Sequence, residues 1–425
     1  MIRSGVANRI ACNPLSRPSP HNKLQPGKGI PLRKERTERR RLANFPIRAT
    51  NPDQSGSTMG GVRLALLGAG IFASDVYVPL LKNHSDEVTL AAVWSRSEKS
   101  VQGILPSIQE FAPDVKARWG EGGLDELLAD PEIDGVILVL AVQSMIQMIT
   151  KCLKNGKHVL EEKPVAVSVD QALPAITAHR KESSASWNLA ENFRFETAFL
   201  EGAKLVKEIG KVIKLEVAAD IPANSSNNKY LKTAWRHDSE GCPGGFLLDS
   251  GVHLFAGYRM LAHAGGCGEP VTASCLTNQV DPSMPKPDVV IGWVQFEDGT
   301  PGSIAFTYSA GVMKTTYRVV GTEGTVEIVR SGFGKPFPGY SLCVKKKGES
   351  ELFTQDLPFV GLETELKEFV RTIEAHKKGN KDFQLTDDGA KRLMPEEGLR
   401  DLAIIEALLK SSQSGGAPTD IAKIP

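Results

Sequence analysis

Lys163, placed between Glu161-Glu162 and Pro164, together with Asp249 and His253 four residues apart, offers the residue types that could do chemistry on one small molecule. An ammonium group can donate to a substrate oxygen and stabilise charge that develops on it. Histidine exchanges protons near neutral pH, and a nearby carboxylate can orient it or bind a hydroxyl. On a helix Asp249 and His253 share one face, so both can reach one ligand. Each also has a plainer reading by itself. An isolated Lys-Pro decorates a surface, and a histidine at this spacing is satisfied by its own helix.

What must position these groups is legible in the surrounding runs. Pro164 pushes the backbone of Lys163 to an extended conformation. The lysine follows GKHVLEE, the fourth strand-like run, and parallel sheets bind ligands at the carboxyl ends of their strands. The sheet begins at Val62–Leu67, a run with no polar face, and continues through Val88–Trp94, Gly135–Leu140 and His158–Leu160. Helical stretches at Ile71–Leu81, Ser97–Phe111, Leu124–Ala129, Ser144–Asn155 and Ser168–Lys181 alternate with these strands, which predicts a doubly wound parallel sheet over residues 59–184.

Between the first strand and the first helix lies Gly68-x-Gly70-x-x-Ala73, with Ile71 and Phe72 inside it. This is the spacing of a dinucleotide turn: the first glycine permits the bend, the second lets backbone N–H groups approach a pyrophosphate, and the small third residue allows close helix–strand packing. With 40 glycines in the chain, G-x-G recurs elsewhere, and only this pair has the strand–turn–helix context. The second strand ends Trp94-Ser95-Arg96-Ser97. A carboxylate there would repel a 2′-phosphate, whereas Ser95 and Arg96 offer donors to one, so NADP is favoured over NAD; an arginine merely solvated at a strand end is the plainer alternative. Glu162 and Lys163 border the same cofactor edge.

Beyond residue 185 the texture changes. Lys211–Ala218, Val271–Gln279, Val289–Phe296, Gly302–Tyr308, Thr316–Val320 and Thr325–Val329 are strand-like runs without intervening helices, which predicts one antiparallel sheet over residues 185–415. Helices at Glu363–Lys378 and Pro395–Leu409 follow, the last reading as surface-exposed before a flexible tail at 416–425. The loop Ile221–Arg236, rich in Asn and Ser, could bind hydroxyls or form a turn-rich surface, and Trp235 and Arg236 are candidates for a substrate pocket, with burial in the core as the alternative for the tryptophan.

Bulk composition bounds the function classes. With 425 residues, 41% apolar and 24% charged, the chain is globular and too long for one ordinary core. Residues 1–58 carry 12 Lys/Arg against 3 acids, and the remainder 39 against 47. The mildly acidic main part makes nucleic acid an unsuitable partner. No apolar run is long enough to span a membrane. The basic head has no hydrophobic period and reads as disordered; it fits either a plastid transit peptide or an upstream extension of a cytoplasmic protein that starts at Met59. The six cysteines form no C-x-x-C pair, and no histidine stands at metal-ligand spacing.

Taken together, GAGIFA, GKHVLEEKP, ENFRF at Glu191–Phe195, AWR at Ala234–Arg236, GGFLLDSGVH and the terminal EEGLRDLAIIEALLKSSQSG make the chain, over about residues 60–415, resemble the Gfo/Idh/MocA family. The resemblance implies an N-terminal Rossmann domain joined to a C-terminal α/β domain with an open, mainly antiparallel sheet, which is often a dimer surface. It also implies that Lys163, Asp249 and His253 stand at the substrate, with His253 as general acid/base. Two departures are visible. Leu140-Ala141-Val142-Gln143-Ser144-Met145 replaces the family's Thr-Pro-Asn-x-x-His, and Ala256 stands where an acid often follows the histidine. The expectation is an NADP-dependent oxidoreductase acting on a sugar, polyol or related small molecule, with a homodimer through the second sheet. The competing class is an NADP-binding sensor without catalysis, favoured by the altered Ala141–Met145 segment and opposed by the intact Lys163, Asp249 and His253.

Overall fold

Strand β1 (Val62–Leu67) is buried at every position except Arg63, and a backbone covered on both faces belongs in the middle of a parallel sheet. The computed structural model, which describes residues 61–425 apart from 183, 227 and 332–338, puts it there. With β2 (Val88–Ser95), β3 (Lys116–Trp119), β4 (Gly135–Leu138), β5 (His158–Glu162) and β6 (Trp187–Ala190) it forms a six-stranded sheet in the order β3-β2-β1-β4-β5-β6. All five pairings are parallel. The strand order reverses direction between β1 and β4, which opens a crevice at their carboxyl ends. The expectations for residues 1–58, disorder and targeting alike, lie outside the described residues.

Several expected elements shift. The first helix runs from Ile71 to Asn83 with a π turn at Ala73–Tyr77, where Pro79 has no N–H to give. The sheet gains β3, whose short KARW sequence carried no apolar signal, so Lys163 follows the fifth strand and not the fourth. Its sixth strand, Trp187–Ala190, lies past residue 184. The chain also returns to this sheet: helix Gly361–Lys377 buries Leu366, Phe369, Val370 and Ile373 in the same cluster as Val62, Leu64 and Leu66.

The second sheet has nine strands, β7 (Val212–Pro222), β8 (Pro270–Asn278), β9 (Val289–Phe296), β10 (Pro301–Thr307), β11 (Ser309–Gly321), β12 (Gly324–Ser331), β13 (Gly339–Lys346), β14 (Phe353–Pro358) and β15 (Thr419–Asp420). Their order is β14-β13-β12-β11-β7-β10-β9-β8-β15, antiparallel except for the parallel β7–β10 pair. Two expectations are corrected here. The tail at 416–425 is not free, because Thr419–Asp420 pairs with β8 and Ile421 is buried. Nor is the last helix on the surface. Pro395–Gln413 buries Leu399, Leu402, Ile404, Ile405 and Leu408, and a helix apolar on most sides belongs inside.

Among the described residues no helix is long and apolar enough to cross a membrane. The five described cysteines are free thiols, four of them buried.

Candidate active site

At the crevice, Gly68 has φ +125°, a conformation that side chains rarely adopt, and a Cβ there would stand 2.2 Å from the carbonyl oxygen of Val139. The chain can therefore bend over β4 only with glycine at this position. A Cβ on Gly70 would meet nothing within 4 Å, so its face is open to a ligand. The helix that begins at Ile71 presents N–H groups without intrahelical acceptors at this point. Ala73 does not line the cleft. It is fully buried where the helix meets the sheet, which is the packing reason for a small residue there.

The cleft has a volume of about 380 Å³. One end is formed by Gly68, Gly70, Ile71 and Phe72 with Ser95 and Arg96. Beside Arg96, Ser97 caps the helix Glu98–Gln109 by accepting from the Ser100 N–H, which adds a second positive helix end. The rest of the lining comes from Glu162, Lys163, Trp235, Arg236, Asp249 and Thr233, with Tyr230, whose ring centroid is 6.4 Å from that of Phe72, between the two groups. Both substrate candidates in the AWR turn therefore line the cleft, and Trp235 also packs its partly buried ring against the core. In the altered Ala141–Met145 segment, Ala141 and Val142 also line the cleft, and Gln143 Nε2 donates to the Trp235 carbonyl at 3.4 Å. That bond ties the segment to the AWR turn.

Lys163 and Asp249 meet directly. The Lys163–Pro164 bond is cis. Lys163 Nζ donates to the backbone oxygen of Asp249 at 2.7 Å and to Oδ1 at 3.2 Å, while Arg236 Nε donates to Oδ2 at 2.7 Å. The guanidinium lies 4.1 Å from the Trp235 ring centroid and gives a further bond to Thr233 Oγ1. Burial works against the charge of Asp249, but Lys163 and Arg236 outweigh it and hold the carboxyl at about 2. Glu162, one residue before the lysine, is pushed by burial up to about 7 despite Lys163 and the 2.6 Å bond that Tyr77 O–H donates to it.

His253 is placed differently from the expectation. Gly244 and Gly245, both at positive φ, turn the chain into a short helix, Phe246–Asp249, which ends at Ser250 before the helix Gly251–Ala264 starts. Asp249 and His253 thus sit on two helices, and Asp249 does not orient the imidazole. Glu191 does, with Oε1 2.7 Å from Nδ1, while Phe193 stacks on the ring at 4.9 Å. Burial opposes the charge of Glu191, yet His253 and Arg194 keep its carboxyl below the ordinary value. An ionised carboxylate only accepts, so Nδ1 carries the hydrogen and Nε2 is left as the working nitrogen. The side chain is 19% exposed and does not line the cleft. Ala256, the other departure, is fully buried and has no part in the cleft. Spacing could not find Glu191, 62 residues upstream; its only signal was the ENFRF motif. Tyr77 gave none.

Comparison with known proteins agrees with this architecture. Residues 62–188 match the model described as the oxidoreductase family with an NAD-binding Rossmann fold, and residues 204–327 match the GFO/IDH/MocA C-terminal domain. A dehydrogenase of Fusarium mangiferae is 29% identical over 367 residues, which is 84% of this chain and 98% of that protein. The 1,5-anhydro-D-fructose reductase of Ensifer adhaerens is 26% identical over 361 residues, 84% of this chain and 97% of its own. The crystal structure of an oxidoreductase from Thermotoga maritima superposes with a TM-score of 0.67 at 25% identity, covering 85% of this chain and 98% of that one. The chain is a member of the Gfo/Idh/MocA family of NAD(P)-dependent oxidoreductases.

Proposed function

We propose that the protein uses NADP to move hydride between the nicotinamide and a carbon that bears a hydroxyl or carbonyl, on a sugar, polyol or related small polar molecule. The observation that carries this reading is a single cleft with a glycine turn and Ser95-Arg96 at one end and the Lys163–Asp249–Arg236 cluster at the other. The residues fit such a cofactor: the bend at Gly68 excludes any side chain, two helix ends face it, and the donors at the second strand's end suit a 2′-phosphate. When bound, it supplies or takes the hydride.

The chain's own residues do the rest. Lys163 Nζ donates to the substrate oxygen and stabilises charge that develops there. Asp249 keeps that ammonium aimed, and Arg236 with Tyr230 and Thr233 supplies contacts for neighbouring hydroxyls. His253 stands outside the cleft lining, so its Nε2, left free because Nδ1–H is fixed on Glu191, exchanges the proton with the substrate oxygen through one relaying water. A relative named for reducing an anhydro-sugar ketone supports the substrate class.

Cofactor choice is tested by titrating NADPH and NADH against Arg96→Ala. Loss of one charge-assisted contact weakens NADPH by about tenfold and leaves NADH unchanged. Equal effects on both would remove Arg96 from 2′-phosphate recognition.

A further inference from the structure

Behind His253 lies a group of buried carboxyls that the reaction above does not use. Glu365, on helix Gly361–Lys377, is 1% exposed, and its Oε2 has no hydrogen-bond partner. The start of this helix is fixed against the turn Asn192–Phe195: the Val360 N–H donates to Glu196 Oε2 at 2.9 Å, and a Cβ on Gly361 would stand 2.3 Å from the Asn192 oxygen. On that turn and just before it, two more buried polar atoms lack partners, Arg194 Nη1 and Glu191 Oε2. Glu365 stands about one helical turn beyond Gly361, and Glu191 is the residue before the Asn192 that Gly361 packs against, so the three residues belong to one buried region.

A buried carboxylate oxygen without a donor is costly, because it has given up its water and gained nothing in exchange. Glu191 is that case, since Oε1 takes the His253 N–H and Oε2 takes nothing. Two groups of this cluster could supply a hydrogen to Oε2, Arg194 Nη1, which has no partner, and the carboxyl of Glu365 in its protonated form. Burial, together with the charges of Glu162, Glu191 and Glu196, holds the Glu365 carboxyl well above its ordinary range, and Arg194 only partly offsets them. A buried water bonded to Glu191 Oε2, Arg194 Nη1 and Glu365 Oε2 would have the three partners that such waters usually make.

We propose that Glu365 is a positioning residue: as a carboxylic acid it gives its O–H hydrogen bond, directly or through one buried water, to Oε2 of Glu191, and so holds the carboxylate that orients His253. No bond to hydrogen breaks in the resting state. Glu365 stays neutral, Glu191 anionic and the imidazole free to take a proton at Nε2. The consequence for turnover rests on the reading of His253 above, but the arrangement itself does not, and it is read without substrate.

The test uses the full chain in three forms, wild type, Glu365→Gln and Glu365→Leu. Infrared difference spectra should show the carbonyl stretch of a protonated carboxyl in the wild type that Glu365→Gln removes. Nitrogen-15 NMR of labelled histidine follows His253. Glutamine still donates to Glu191 and should leave the titration midpoint of the Glu191–His253 pair within a few tenths of a unit. Leucine cannot donate, so Glu191 holds a proton more tightly and the midpoint rises by about one unit. Absence of the carbonyl band, or equal midpoints for all three proteins, overturns the proposal. If the leucine variant does not fold, Glu365→Ala takes its place in the midpoint comparison, and in the infrared spectrum a band at the frequency of a carboxyl that donates no hydrogen bond overturns the proposal. A purely structural role would lower the melting temperature and leave the midpoint in place, and failure of His253→Ala to slow turnover would sink the catalytic reading without touching these spectra.

Discussion

At the scale of single residues, two buried carboxyls of one cleft are driven in opposite directions: Asp249 sits between two cations that outweigh its burial and is held at about 2, whereas burial outweighs Lys163 and Tyr77 at Glu162 and pushes it up to about 7. The sign of the pH dependence follows. Between its ordinary value of 4.5 and about 7, the folded protein binds a proton at Glu162 that the unfolded chain has released, so stability falls as pH rises through that window and is level above it. Glu162→Gln mimics the protonated form and removes this slope, which melting temperatures measured from pH 4 to 8 would read. His253 gives a kinetic prediction. With Nδ1 held by Glu191, only Nε2 can carry the proton, and His253→Ala lowers turnover by about 10²-fold or more while NADPH binding changes little. Turnover unchanged in that variant would remove His253 from the mechanism.

At the scale of elements, the glycine turn is the most constrained piece. Gly68→Ala introduces a methyl 2.2 Å from the Val139 oxygen at φ +125°, so the turn must move; NADPH binding is lost and stability falls by about 2 kcal/mol or more, read by fluorescence titration and thermal melts. A variant that binds NADPH normally would contradict this account of the turn. The same element shows what was legible in the sequence. Val62–Leu67, Val88–Trp94 and Val289–Phe296 are strands within a residue of expectation, because runs of buried aliphatics leave few alternatives. Lys116–Trp119 and Phe353–Pro358 went unread because short, exposed edge strands carry little hydrophobic signal, and Thr419–Asp420 is too short for any. Gly339–Lys346 had a signal, since Tyr340, Leu342 and Val344 alternate inward, but charged flanks masked it. Lys163, Asp249 and Arg236 were legible as types. Their meeting on one carboxylate was not, because residues 163 and 249 are joined by the packing of distant elements and not by any local period.

At the scale of the whole molecule, the second sheet has helices on one face, while the other exposes Leu276, Ile291 and Trp293 on the neighbouring strands β8 and β9. Such an apolar surface suits self-association, and we propose that it forms a homodimer face. Trp293→Asp should then shift the protein from dimer to monomer in sedimentation equilibrium with the cleft unaffected; a wild type already monomeric at micromolar concentration would exclude the dimer. The two sheets together hold one cleft between a nucleotide turn and a proton-handling cluster, and the claim that they perform hydride transfer has one direct test. The full-length protein is mixed with NADPH and a panel of sugars, ketones and aldehydes while absorbance of the reduced nicotinamide is followed. The account predicts substrate-dependent oxidation with at least one sugar-like carbonyl, abolished in Lys163→Ala. NADPH bound tightly but unchanged by every compound, or oxidised equally by Lys163→Ala, would contradict it.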